Sequence, residues 1–468
     1  MPINCLRVCT FIFLLIPKMV LAATLPLMPY PKSVVVNSEN QIALTPGFSV
    51  SFHDNSVVTD RLRLAAARTE SRYFRQTGLP QVSPILPDKQ SQLFVHVNRH
   101  AELPLSSQTD EAYLLTVSEQ GLLLRADTDI GAIRGMETFL QLVTHTSGQF
   151  TLPDITIEDS PEFSWRGLML DSSRHFIQIA TIERLLHVMA SAKLNVLHWH
   201  LADDQGWRLP IADYPALHNS ASDNQFYTHE QVRQVVHLAD QLGIRVIPEL
   251  DFPGHASAIA VAYPQLMSRA SHYTMQRSWG VHRPLLDPTN EKVYDFIAAC
   301  IAQLAQLFPD PYVHIGGDEV DPRDWMNTPH IKNFMAKKGF EDAHEVQAFF
   351  NQRVSKILSQ HGKSMIGWDE VSHDSLPMDV VIQSWRGYDS IVESVKAGRP
   401  VILSTGFYVD QPQYTEYHWG NSIVPEATPI ASLTATRHFK FEINRLRGSA
   451  IQASLSIGEN KMKGIIKL

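Results

Sequence analysis

Three cysteines in 468 residues leave no material for a disulfide framework. Cys5 and Cys9 lie in the first ten residues, and Cys300 stands alone, with neither a bridging partner nor a metal-binding cluster around it. Charge is also thin. Charged residues make up 19% of the chain, the formal net charge is −8, and no block of Lys and Arg stands out. Nucleic acid is therefore not an expected partner. No apolar run reaches the roughly 18–20 residues of a membrane span. The run Phe11–Ile16 is short and Lys18 follows it closely, so stable membrane insertion is not expected. With 44% hydrophobic residues, the chain has to be held together by its core.

What is present begins with an export-type leader. Arg7 precedes the apolar run Phe11–Ile16, and Val20-Leu21-Ala22 offers small residues near a cleavage point. Residues 1–22 are expected to be a signal peptide, which places the mature chain in the periplasm or outside the cell. No Cys follows the small residues, so no lipoprotein pattern is present.

The length predicts two domains. Residues 23–160 read as a small α+β domain. Leu93–Val97 has a strand signal, and Ala112–Val117 and Gly121–Ala126 flank a polar turn as a hairpin. Helical spacing runs near Thr59–Gln76 and Ile130–Val143. No acid, base or ligand cluster gathers there, so packing or a substrate rim is its expected role. From 161 to 468 the pattern changes to short apolar strands alternating with helices, as in an α/β parallel barrel of the (β/α)8 TIM type. Seven such strands are legible: Gly167–Leu170, Asn195–His198, Arg245–Glu249, Tyr312–Ile315, Ser364–Gly367, Val380–Gln383 and Pro400–Leu403. Beyond about 412, Phe439–Leu446 and Ser449–Leu455 read as hairpin strands rather than a βα unit. The barrel is expected to lack its eighth strand.

These strands end in polar and aromatic residues, where a barrel builds its site. Carboxylates, an Arg and indole rings at one mouth suit a polyol substrate and acid/base chemistry, because indoles stack on sugar faces and Arg and Asp grip hydroxyls. The strongest candidates are Asp318 and Glu319, which follow two glycines after an apolar strand. Most glycosidases set two carboxylates on opposite sides of the anomeric carbon, about 5–9 Å apart. Adjacent residues are poorly placed for that, so one can be the acid while the nucleophile comes from elsewhere. Blander readings apply to several neighbours. Arg166 and Asp171 are expected to pin the barrel mouth, His198 and His314 to be core histidines, and Trp199 and Trp207 to pack. Asp203 and Asp204 fit a functional pair, a metal hint with His198 and His200, or solvated loop charge. No cofactor or metal is expected, since neither a Cys set nor a metalloprotease helix motif supports one. Asp369 and Glu370 either line the leaving-group side or face water.

The run His314–Val320 resembles the signature of glycoside hydrolase family 20, the β-N-acetylhexosaminidases. The likeness extends through Arg166–Asp171, Ser173–Phe176, His198–Leu201, Asp203–Trp207, Glu249–His255, Gly367–Glu370, Ser384-Trp385 and Tyr408–Asp410, in the family's order. It implies a retaining exo-glycosidase that removes terminal β-linked N-acetylglucosamine or N-acetylgalactosamine from an oligosaccharide such as a chitin fragment or glycan. The substrate's acetamido oxygen would be the nucleophile, closing to an oxazolinium ion. Glu319 is then the acid/base, its pKa expected to be raised by Asp318 and partial burial, and Asp318 anchors the acetamido N–H. Tyr408 is implied to bond the acetamido oxygen and Arg174 and Asp410 the ring hydroxyls. Asp203 and His255 orient the acid, and Trp368 and Trp385 wall the pocket. Family members carry a further Gly-Gly-Glu run, a Trp and a Glu on their last strand. Neither Trp419 nor Glu459 lies in such a pattern. The other reading is therefore a catalytically impaired sugar-binding remnant.

Overall fold

Strict alternation of buried and half-buried side chains builds the first sheet, as in Tyr113, Leu115 and Val117 against Leu114, Thr116 and Ser118. The computed structural model describes residues 25–44, 46–81, 92–412, 414 and 417, and the backbone of 451–456. The leader, Phe439–Leu446, Trp419 and Glu459 lie outside the described residues.

The first sheet comprises β1 (Ser33–Ala43), β2 (Ser49–Phe52), β3 (Gln92–Arg99), β4 (Tyr113–Ser118), β5 (Gly121–Thr128), β6 (Thr144–Thr146) and β7 (Gln149–Asp159). Its order is β1-β7-β4-β5-β3-β2, with β6 on β7. The expected hairpin is β4–β5, and the two expected helices are Asp60–Thr77 and Asp129–Leu142. Thr59 and Thr128 cap them, each side chain accepting an N–H three residues on. The long β1–β7 pairing joins segments over a hundred residues apart, a link the sequence pattern does not reveal.

The second sheet holds β8 (Trp165–Asp171), β9 (Val196–Asp203), the short β10 (Gly206–Trp207), β11 (Arg245–Leu250), β12 (Tyr312–His314), β13 (Ser364–Trp368), β14 (Val381–Ser384), β15 (Val401–Leu403) and β16 (Ile451–Ser456). Strands β8, β9, β11, β12, β13, β14 and β15 pair in parallel sequence. They match the seven legible strands. The segment Ser449–Leu455, read as a hairpin strand, falls on β16. β16 lies antiparallel between β15 and β8, pairing Leu455 with Leu403 and Ile451–Ser456 with Trp165–Leu170. No eighth parallel strand occurs among the described residues, yet both edges of the sheet find backbone partners, which removes the exposed edges an unclosed barrel would leave. Helices such as Ile179–Ser191, His229–Gln241, Glu291–Leu307 and Ala343–Gln360 cover the outside. Ile182, Leu186 and Met189 turn inward from the first of these at helical spacing.

A buried polar knot joins the two sheets. Glu111 receives Arg134 Nε at 2.6 Å, Arg166 Nη2 at 2.5 Å and Asn195 Nδ2 at 2.9 Å. Arg166 also donates to the carbonyls of Lys193 and Phe163, and Arg134 to those of Leu242 and Gly243. These partners lie at the amino ends of β8, β9 and β11. Arg166 thus pins the floor of the barrel and not its mouth, and the contacts of the first domain fall on the side opposite the strand ends that build a site.

Burial opposes the charge on Glu111, but Arg166 and Arg134 outweigh it and hold its pKa down to about 2. A carboxylate depressed on folding stabilises the protein above its unfolded pKa and loses that contribution as pH falls toward 2. Glu111→Ala, which strands two buried guanidinium groups, should lower the unfolding free energy at pH 7 by about 3–5 kcal/mol. Denaturant titrations should show this gap narrowing as the pH is lowered; wild-type stability in the variant at pH 7 would refute the assignment.

Candidate active site

The site is built by strand ends that the parallel register brings level. Asp171 faces His200 across β8–β9, His200 faces Glu249 across β9–β11, and Glu249 faces His314 across β11–β12. After β12 the chain turns through Gly316 (φ +66°) and Gly317 (φ +88°), where a left-handed backbone suits glycine. A Cβ on Gly316 would collide with the Asp251 carboxyl group. The turn is held by Gly317 N–H, which donates to Asp251 Oδ1 at 2.9 Å. It delivers Asp318 and then Glu319, itself left-handed at φ +50°. Backbone strain of this kind is retained only where the surroundings enforce it.

His255 (φ +46°) sits beneath the pair. Its Nε2 lies 3.6 Å from Asp318 Oδ2 and 3.4 Å from Glu319 Oε2. Its Nδ1 lies 3.1 Å from Asp203 Oδ1 and 3.0 Å from Asp204 Oδ2. Asp204 is further held by the backbone N–H of Ser257 at 2.9 Å and by its hydroxyl. Asp203 and Asp204 are therefore buried ligands of an imidazole, and the reading as solvated loop charge falls away. Arg174 Nη2 reaches Asp203 Oδ2 at 2.6 Å and Nη1 reaches Asp171 Oδ2 at 3.1 Å. Asp171 in turn accepts the N–H groups of Ser173 and Arg174, so it shapes the turn that aims Arg174.

A cavity of about 180 Å³ opens in front of this framework. Arg174, Asp318, Glu319, Trp368, Trp385, Tyr408 and Asp410 all line it, while Asp203 and His255 stand behind the wall. Trp368 Nε1 donates to Glu249 Oε1 at 3.0 Å, and Trp385 Nε1 donates to Glu370 Oε2 at 3.0 Å, so both indoles are fixed. Asp318 Oδ1 and Asp410 Oδ1 are buried without a hydrogen-bond partner. Sequence reasoning missed Trp279, which also lines the cavity although its residue is 73% exposed. It lies in a stretch without periodicity, and only an indole in a polar segment hints at it.

Electrostatics separate the carboxylates. Burial raises Asp251 well above the usual range, and the neighbouring Asp318 raises it further. Burial also raises Asp318, while His255 draws it down. Glu319 departs from expectation: the hydrogen bond from His255 outweighs burial and holds its pKa below the ordinary value. Adjacency to Asp318 implies a raised pKa, but the imidazole lies closer to the carboxylate than the sequence can indicate. For Asp203, burial opposes ionisation, yet Arg174 and His255 hold it well below its usual value.

A second, polar cavity of about 430 Å³ adjoins Glu319 and is lined by Asp369, Glu370 and Arg386 among others. Asp369 is clasped by Arg386 Nε at 2.7 Å and Ser390 Oγ at 2.9 Å, so it does not simply face water. Burial, then the hydrogen bond with Asp369, push Glu370 up to about 8. It should therefore carry its proton at pH 7. The difference in tryptophan fluorescence between wild type and Glu370→Gln should titrate with a midpoint near 8, reporting Trp385; a midpoint near the ordinary carboxylate value would refute this.

The model of glycosyl hydrolase family 20, catalytic domain, matches residues 163–459, and that of the family's domain 2 matches residues 24–160. Among curated relatives, the β-hexosaminidase of Porphyromonas gingivalis is 36% identical over 338 residues, covering 68% of this chain and 43% of the relative. That of Vibrio furnissii is 33% identical over 410 residues, covering 82% of this chain and 64% of the relative. The chain thus spans less than two thirds of the length of these two relatives. Among solved structures, the chitobiase of Flavobacterium johnsoniae superposes with a TM-score of 0.82 at 36% identity, covering 88% of this chain and 64% of that one. An exo-β-N-acetylglucosaminidase from Vibrio harveyi, in complex with N-acetylglucosamine, gives 0.72 at 28% identity, covering 87% and 68%. With its barrel and its first domain each matched in order by the family's models, the chain belongs to glycosyl hydrolase family 20.

Proposed function

We propose that this chain is an exported, retaining exo-glycosidase that removes terminal β-linked N-acetylglucosamine or N-acetylgalactosamine from oligosaccharides such as chitin fragments. One observation carries the reading: Asp318 and Glu319 both approach Nε2 of the same imidazole, His255, at 3.6 and 3.4 Å. They address one side of the pocket, so they cannot serve as carboxylates flanking an anomeric carbon. A substrate that carries its own nucleophile, the 2-acetamido oxygen, resolves this.

In this mechanism Glu319 protonates the leaving oxygen, and the acetamido oxygen attacks the anomeric carbon to close an oxazolinium ring. The unpartnered Oδ1 of Asp318 accepts the acetamido N–H, and its charge stabilises the ring cation. Glu319 then takes a proton from the water that reopens the ring, and configuration is retained. Tyr408 bonds the acetamido oxygen, Trp368 and Trp385 wall the acetamido group, and Arg174 and Asp410 take ring hydroxyls. Asp203 holds His255 against Glu319. The low pKa of Glu319 is that of a carboxylate facing a charged imidazole. A saccharide that excludes water and places a glycosidic oxygen within reach raises it. The leader-like residues around Arg7, Phe11–Ile16 and Val20–Ala22 support an exported protein. The name of the Vibrio harveyi neighbour supports N-acetylglucosamine as the sugar.

The alternative is a sugar-binding remnant without turnover. The intact acid, anchor and support favour the enzyme over it. Glu319→Gln should lower kcat on an aryl N-acetyl-β-glucosaminide by about 100-fold or more, with a smaller effect on KM. Wild type that binds a thiazoline analogue but releases no aryl alcohol would establish the remnant instead.

A further inference from the structure

Below the acid, carboxylate and imidazole alternate through the barrel core. Glu249 Oε2 lies 2.6 Å from His200 Nδ1, and His200 Nε2 lies 2.9 Å from Asp203 Oδ2. Asp203 Oδ1 lies 3.1 Å from His255 Nδ1, and His255 Nε2 lies 3.4 Å from Glu319 Oε2. We infer that Glu249 is a positioning residue for the hydrolysis proposed above, acting on Glu319 through His200, Asp203 and His255.

Glu249 is fully buried and does not line either cavity. A buried carboxylate persists only where cations or donors hold it. Its holders are His200 and, at 2.8 Å, His198 Nε2, with Trp368 donating to Oε1; His314 Nδ1, 3.1 Å away, accepts the N–H of Gly316 instead. Among these, His200 is the one whose other ring nitrogen meets Asp203, the carboxylate beside His255. Each imidazole in the chain sits between carboxylates, which favours the doubly protonated ring. Burial opposes charge on His200, but Glu249 and Asp171 raise its pKa well above the ordinary value. Burial likewise opposes charge on His255, and Asp203 and Asp318 outweigh it. The other charged groups facing the chain are Arg174, with Nη1 3.3 Å from His200 Nε2, and Asp171, Asp204, Asp251 and Asp318.

The consequence follows from which charge lies nearer the acid. Without the negative charge of Glu249, His200 releases its second proton, and the pair disappears together. The lost cation stood closer to Glu319 than the lost anion, so Glu319 ionises at higher pH. His198, Glu249 and His314 also have the residue types of a zinc site. However, ligands about 2.0–2.1 Å from a tetrahedral ion stand about 3.3 Å apart. The 2.8 and 2.6 Å approaches to one Glu249 oxygen are shorter than that spacing and suit direct charge contacts better.

The test uses the full chain and the pH dependence of kcat and kcat/KM on an aryl N-acetyl-β-glucosaminide. Glu249→Gln keeps an acceptor for Trp368 while removing the charge. It should lower kcat about 10- to 100-fold, leave KM within about threefold, and move the alkaline limb of kcat/KM upward. Glu249→Asp should restore the limb toward wild type. An unmoved limb in Glu249→Gln, or a loss confined to KM, would overturn the inference. Should that variant not fold, nitrogen NMR of histidine-labelled wild type decides: both ring nitrogens of His200 should be protonated at pH 7, and a neutral ring or stoichiometric bound zinc would overturn it. Wild type without turnover would sink the hydrolase reading, while the His200 spectrum would still test the linkage.

Discussion

Asp203 is the carboxylate on which the site depends. It is buried, and it is shared by Arg174 at 2.6 Å, His200 at 2.9 Å and His255 at 3.1 Å. Burial alone would neutralise it; three cationic donors keep it charged. Each of them has a second task. Arg174 lines the cavity, His200 connects to the barrel centre, and His255 faces Glu319. One anion thereby sets the spacing between the Arg174 side of the cavity and the Glu319 side.

The parallel barrel makes this arrangement economical in chain. Register places Asp171, His200, Glu249 and His314 side by side on four neighbouring strands, although they lie far apart in sequence. The loops that follow supply what strands cannot. Two glycines and two left-handed residues, His255 and Glu319, bend backbone tightly enough to face imidazole and carboxylate across a short gap. At the opposite end, Glu111 and its two guanidinium partners tie the first domain to the barrel floor, away from the cavity.

Closure of the sheet combines two kinds of pairing. Seven parallel strands bring the site residues together, and the antiparallel β16 bridges β15 and β8. A strand in that place satisfies backbone groups at two edges irrespective of its direction. Direction matters for what a strand presents at the mouth, since only the carboxyl end of a parallel strand leads into a loop there.

The alternation of apolar strands with helices was sufficient to read the barrel, and seven strands lie where the pattern places them. The hairpin β4–β5 and the helices Asp60–Thr77 and Asp129–Leu142 were equally legible, because each is specified by short-range periodicity and caps. The adjacency of Asp318 and Glu319 also sufficed to exclude a pair of flanking carboxylates. Tertiary structure decided the rest. Pairing of β1 with β7 and of β16 with β8 joins segments remote in sequence, for which local pattern carries no signal. The burial of Asp204, the role of Arg166 at the floor and the direction of the Glu319 shift all depend on which charges meet in space. Adjacency along the chain predicted that Asp318 would raise Glu319; His255, brought in from the preceding strand at 3.4 Å, lowers it. A sequence names the charged groups, but their energies follow distance and burial, and only the fold sets those.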